Sequence, residues 1–199
     1  AALAAAITTP RPDVLIDTGA RTVAVRGTDG KLSILNARGA RISAETWLAA
    51  DGDTHNSRSV SPDAFVCDEL GCIARLMDET MIAIASRSEA FADDCGNAAL
   101  VISATDIPAA CRAPGIDRKL MATTGAISLR RVKGEWKIET VRSPYADRPW
   151  YGRAHPAEPA ALMRFRAKAT EAGQSTKMPL APAGDIAVAE PDDENDDAQ

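Results

Sequence analysis

Three times in this chain two short apolar, strand-forming runs flank a tight turn, and that repetition restricts the fold more than any other feature. Thr22 to Arg26 and Leu32 to Leu35 are joined by Gly27-Thr28-Asp29-Gly30, whose Asp-Gly pair is a strong hairpin signal. Cys72 to Met77 and Thr80 to Ala85 flank Asp78-Glu79. Ala126 to Val132 and Trp136 to Val141 flank Lys133-Gly134-Glu135, and their alternating pattern implies one packed face and one wet face. A further β-type run, Asp13 to Ile16, precedes the first hairpin, so the chain opens as a small meander. Thr80 to Ala85 and Ala98 to Ser103 are apolar enough to be buried strands.

Helical signals alternate with these hairpins. Ser43 to Ala50 reads as a helix with Ser43 at its N-cap and a stop near Gly52. Ser86 to Asp94 reads as a short helix leading to Cys95, and Asp117 to Ala122 as one that ends at Gly125. Residues 160 to 172 suit a single surface helix. The chain has only three Phe, three Trp and two Tyr, so its core must be built mainly from Ala, Val, Ile and Leu. That composition suits strands backed by small-residue helices, and the expected fold class is mixed α and β, of the α+β kind.

A length of 199 residues at 45% hydrophobic content supports one domain with a real core. We place that domain at residues 10 to 156. Residues 1 to 9 are expected to be a linker or the end of a preceding membrane segment, or else an ordinary terminus belonging to a first helix. Ala1 to Ile7 is apolar but far short of the roughly 20 residues that a membrane span needs. Residues 157 to 199 are expected to hold the surface helix, a linker and a disordered tail. Asp185, Glu190, Asp192, Asp193, Glu194, Asp196 and Asp197 lie in that tail, and setting these seven acids aside turns the formal charge of -5 into +2 for the body. A Pro-containing acidic stretch of this kind cannot bury enough apolar surface to offset its ordering entropy.

Four cysteines, Cys67, Cys72, Cys95 and Cys111, allow three disulfide pairings in an oxidising compartment. Cys67 with Cys72 and Cys95 with Cys111 is favoured, because a Gly-containing turn separates the first pair and can bring both Cα atoms within range. Four reduced, buried thiols in a cytosolic protein is the competing reading. A zinc site fits poorly, since the spacing lacks paired C-x₂-C knuckles.

Catalytic signatures are sparse. The two histidines, His55 and His155, stand a hundred residues apart with no His-x-His pair, whereas hydrolytic metal sites need several converging ligands. There is no G-x-S-x-G, phosphate loop or dinucleotide fingerprint, and no cysteine has a sequence-neighbouring histidine. The acidic pairs Asp68-Glu69 and Asp93-Asp94 read as solvated surface. Accordingly no catalytic residue, metal ligand, cofactor or small-molecule substrate is expected.

Basic residues carry the binding hypothesis. Arg130, Arg131, Lys133, Lys137 and Arg142 lie on or beside the third hairpin with Trp136 interleaved, and Arg148, Trp150, Tyr151 and Arg153 follow. Cations against phosphates with an aromatic for base stacking are the ingredients of single-strand binding. A hairpin with an ordinary solvated basic face is the competing reading. The acidic tail is a candidate competitor with DNA for this surface.

The order of segments resembles a known family. Pro12 to Ile16 and then Val23 to Leu35 resemble the stretch that follows the membrane-embedded region in ComEC-type DNA-uptake proteins of proteobacteria. Cys67 to Cys72 with its hairpin, Ala99 to Ser103 running to Pro108 and Cys111, Thr124 to Ile127, and Trp150 with His155-Pro156 follow in the same order over roughly residues 10 to 156. The resemblance implies the periplasmic tail of an inner-membrane competence channel, with a degenerate metallo-β-lactamase-like layered sandwich of β-hairpins and short helices. Complete members carry a His-x-His-x-Asp-His metal motif that this chain lacks. The implied role is therefore non-catalytic, guiding single-stranded DNA or supporting assembly with the channel region of its own parent chain. An active metal-dependent nuclease with an unrecognised carboxylate site, and a purely structural domain without DNA contact, are the alternatives.

Overall fold

A computed structural model describes residues 10–142 and 160–175, with side chains of the last helix described to residue 171. The predicted strands assemble into two five-stranded sheets. The first takes strands from both ends of the described chain. β1 (Val14–Ile16), β2 (Val23–Arg26) and β3 (Leu32–Leu35) form the opening meander, with Val25 opposite Val14 and Ser33 opposite Val25. The third hairpin, whose strands are described below, joins this meander along the free edge of β1, where Leu129 pairs with Val14.

Between the two contributions lies the second sheet, made of β4 (Phe65–Cys67), β5 (Gly71–Arg75), β6 (Met81–Ala85), β7 (Leu100–Ser103) and β8 (Gly115–Ile116) in that spatial order. β4, β5 and β6 run antiparallel, whereas β6, β7 and β8 run parallel. A parallel step cannot be closed by a tight turn. The chain therefore leaves β6 through a 3₁₀ turn, Ser88–Ala90, and a helix, Phe91–Asn97, before returning as β7. The third hairpin then follows as β9 (Ile127–Val132) and β10 (Glu135–Thr140), completing the first sheet as β10-β9-β1-β2-β3.

The helices are α1 (Arg41–Asp51), α2 (Phe91–Asn97), α3 (Arg118–Thr124) and α4 (Ala160–Ser175). Strand alternation decides how they pack. Val14, Ile16, Val23, Val25, Ile127 and Leu129 of the first sheet meet Ala74, Ile82, Ile84, Leu100, Ile102 and Ile116 of the second in one buried core. The alternate residues point outward. Ala24 and Ile34 receive Ala44 and Leu48 of α1 on one side, and Ala83, Ala85 and Val101 receive Ala90 and Phe91 around α2 on the other. The result is four layers, helix, sheet, sheet, helix, with the central strands β2, β6 and β7 buried on both faces, and the expected mixed α+β fold is what the chain forms. Each fully buried Val, Leu or Ile contributes about 1.5–3 kcal/mol relative to exposure, so the inter-sheet core dominates the stability.

Local chemistry explains the element ends. Asp117 caps α3 by accepting the Leu120 N–H at 2.9 Å, and Gly52 closes α1 in the left-handed region at φ 78°. Gly71 admits β6, since a Cβ there would run into the Ile84 carbonyl oxygen. Arg26 is buried and forms a two-point ion pair with Asp51, at 2.6 and 3.2 Å, which ties β2 to the last turn of α1.

Three expectations change, and two strands are additional. α1 begins at Arg41 after Ala40, which supplies no side-chain cap, so Ser43 lies inside the helix; burial of Ala44 and Leu48 against the first sheet extends the helix at its start. Cys95 lies within α2 rather than after it. β4 and β8 carried no legible signal, being three and two residues long. The helix expected at the surface over residues 160 to 172 sinks Leu162, Phe165 and Ala169 into the inter-sheet core, so the globular unit includes residues beyond 156. The expectations for residues 1 to 9, the 143–159 stretch with Arg148, Trp150, Tyr151, Arg153 and His155, and the acidic tail lie outside the described residues.

Candidate nucleic-acid interface

The third hairpin does not present its basic residues as one face. Arg131 stands opposite Trp136 and Arg130 opposite Lys137, so the two-residue period sends the first pair toward the core side and the second pair to the outer side. Trp136 is buried at 6% exposure, packs in the inter-sheet core, and donates its indole N–H to the Ala99 carbonyl at 3.2 Å. The Arg131 guanidinium covers its ring at 5.2 Å and pairs with Asp78 at 3.0 Å. The aromatic expected to stack on a base is thus a core residue with an occupied ring. On the outer side Arg130 pairs with Glu139 and Lys137 with Glu135, at 3.4 and 3.3 Å. Exposed pairs of this kind are weak, so these two cations remain exchangeable with phosphate. Arg142 donates to the Ala122 carbonyl at 2.8 Å, and Lys133 sits on the turn at φ 54°.

The cysteines pair as favoured. Cys67 and Cys72 bridge register partners across the β4–β5 hairpin, and Cys95 and Cys111 tie α2 to the loop before β8. No described cysteine is free, which removes the reduced-thiol and zinc readings. Lys168 of α4 donates to the Cys111 carbonyl at 2.5 Å, anchoring the same loop from the other side. Two disulfides are consistent with a periplasmic or secreted location. No helix among the described residues is long and apolar enough to cross a membrane.

Another basic site emerges where the sequence carried only a faint sign. The turn after β3 brings Arg38, α1 starts with Arg41, and the polar loop at 53–63 folds back to bring Ser57 and Arg58. That loop is ordered by its own side chains. Asn56 accepts the Arg58 and Ser59 N–H groups at 2.9 and 3.2 Å, and Asp53 holds the His55 ring at 2.6 Å. Ser57 is buried and donates to Glu45 at 3.2 Å, while Glu45 also pairs with Arg41 at 3.3 Å. The result is a cleft of ≈ 350 Å³ lined by Arg38, Arg41, Ser57 and Arg58. The Arg38 and Arg41 spacing was visible in the sequence. Arg58 joins them only through the loop fold.

A second, acidic cleft of ≈ 190 Å³ lies between the β4–β5 hairpin and α2, where Asp68, Asp93 and Asp94 border Val66, Leu70 and Ile73. Asp68 of the first acidic pair and both members of the second, read from sequence as solvated surface, thus border one cleft. Burial raises the Asp94 carboxyl above its ordinary range, and the neighbouring Asp93 and Asp68 charges add to the effect. Asp68 moves the other way because the Gly71 and Leu70 N–H groups stabilise its charged form. Among the described residues no three His, Cys, Asp or Glu side chains converge closely enough to hold a metal ion.

No protein-family model, curated protein or solved structure matches this chain.

Proposed function

We propose that this domain is a non-catalytic, extracytoplasmic binding module of a DNA-uptake membrane channel, guiding DNA or supporting assembly of the channel. The ordered resemblance to ComEC-type tails motivates the reading. The observation that carries it is the closure of all four cysteines into two disulfides, which agrees with the periplasmic side on which that resemblance puts the tail. The layered sandwich agrees in class with a degenerate metallo-β-lactamase-like fold. His55, the one described histidine, is exposed in a surface loop and held there by Asp53.

The test is binding of fluorescent single-stranded and duplex DNA to the chain across a salt series, with magnesium and chelator arms watched for cleavage. A guiding module binds with an affinity that falls steeply with salt, because phosphate contacts release counterions, and cuts nothing. Chelator-sensitive cleavage would replace this reading with the nuclease. Burial of Trp136 favours one second reading, a structural domain without DNA contact; its signature is no salt-dependent binding together with loss of channel assembly on deletion.

A further inference from the structure

We infer that the cleft between α1 and the 53–63 loop is a phosphate-binding site in which Arg38, Arg41 and Arg58 hold the anion. Three guanidinium groups line this cleft against a single carboxylate, Glu45, which is shared between Arg41 and the Ser57 hydroxyl. Among the described residues, Arg38 and Arg58 have no side-chain acceptor, in contrast to the cations of the third hairpin, most of which do. Bringing three like charges to one hollow is unfavourable without a counter-anion. The guanidinium fork matches tetrahedral oxyanions through two parallel N–H donors, so a doubly charged phosphate is the complementary ligand.

The wall of the cleft is built rather than incidental. Ser57 is 3% exposed and its bond to Glu45 clamps the loop onto α1. The Asn56 side chain then fixes the backbone of Arg58 next to it. Arg41 occupies the first position of α1, whose first turn has no acid and whose N-cap has no side-chain acceptor. A cation there opposes the helix dipole. A bound phosphate reverses that cost, adding to the pull of the arginines. The volume accommodates a phosphate with an attached sugar.

Two sources supply such a group, a nucleic-acid backbone or a free phosphate, and the nucleic-acid source rests on the DNA-uptake reading above. The experiment takes the full 199-residue chain and titrates inorganic phosphate by calorimetry or NMR. It separately titrates a twelve-nucleotide oligothymidylate by fluorescence anisotropy over a salt series. Variants are Arg38→Ala, Arg58→Ala, the double variant, Arg58→Lys, and Arg130→Ala with Lys137→Ala as the hairpin comparison. All of these replace exposed or half-exposed side chains, and circular dichroism confirms folding.

The expected result is saturable phosphate binding that weakens on the order of tenfold per arginine removed, is partly kept by Arg58→Lys, and is unaffected by the hairpin pair. If the source is DNA, each arginine removed also lowers the slope of log affinity against log salt by about 1. Phosphate binding at the cleft without oligonucleotide binding keeps the site and discards the DNA-uptake reading. Absence of phosphate binding, or phosphate binding indifferent to Arg38→Ala and Arg58→Ala, overturns the site. Oligonucleotide binding that persists unchanged in the double variant also overturns it, while leaving the DNA-uptake reading in place.

Discussion

Removing the Cys95–Cys111 disulfide should cost more than removing Cys67–Cys72, and the difference can be worked from the loops they close. The bridges span sequence separations of 16 and 5 residues. Loop-closure entropy gives about 3 kcal/mol for the first and about 2 kcal/mol for the second. Together they represent about 5 kcal/mol, the low end of the whole stability of an ordinary domain at about 5–15 kcal/mol. Packing acts in the same direction, because Cys111 is buried beside Ala113 and Val101 whereas Cys67 is exposed. Urea unfolding followed by the fluorescence of the buried Trp136 measures the effect in C95A/C111A and C67A/C72A. With a slope of about 2 kcal/mol per molar, the midpoints should fall by roughly 1.5 M and 1 M respectively. The loop-constraint reasoning fails if C67A/C72A loses as much as C95A/C111A, or if neither variant shifts.

Three further outcomes are expected. Asp51→Ala should destabilise the fold by about 3–5 kcal/mol, since Arg26 would stay buried with backbone carbonyls as its remaining acceptors; Arg26→Met combined with it should recover most of the loss in the same urea assay. Thr22→Val should stabilise by about 1 kcal/mol, because the Thr22 hydroxyl is fully buried and makes no hydrogen bond; a lower thermal midpoint would contradict this. Asp94→Asn should raise stability at neutral pH. The folded chain holds the Asp94 proton more tightly than the unfolded chain does, so stability is lost as pH rises from the ordinary Asp range through the raised folded value. The advantage of Asn should therefore shrink on acidification, and an advantage independent of pH would count against the shift.

Elements marked by local chemistry were readable in advance. The Asp-Gly turn, the Lys133-Gly134 turn and the Gly125 helix stop each act within a few residues of themselves, as does the Gly-containing turn that closes Cys67 on Cys72. β4 and β8 were not readable, because strands of three and two residues hold too little pattern and exist only as additions to β5 and β7. Nor was the start of α1, which the first sheet sets by burying Ala44 and Leu48. The candidate site follows the same division. Cations on the third hairpin were visible as a run, yet their value for binding depends on partners such as Asp78, supplied from 53 residues away.

By itself the amino-acid sequence determined a mixed α and β domain with three hairpins and a cysteine set suited to two disulfides, because turns and alternation are local properties of the chain. Tertiary structure decided which side chains are free to act. It buried Trp136 beneath Arg131, since the register of β9 and β10 sends that pair toward the core. It also gathered Arg38, Arg41 and Arg58 at one cleft, since the Ser57 bond to Glu45 holds a distant loop against α1. Neither outcome is written in spacing along the chain, because each depends on how separate elements meet in space.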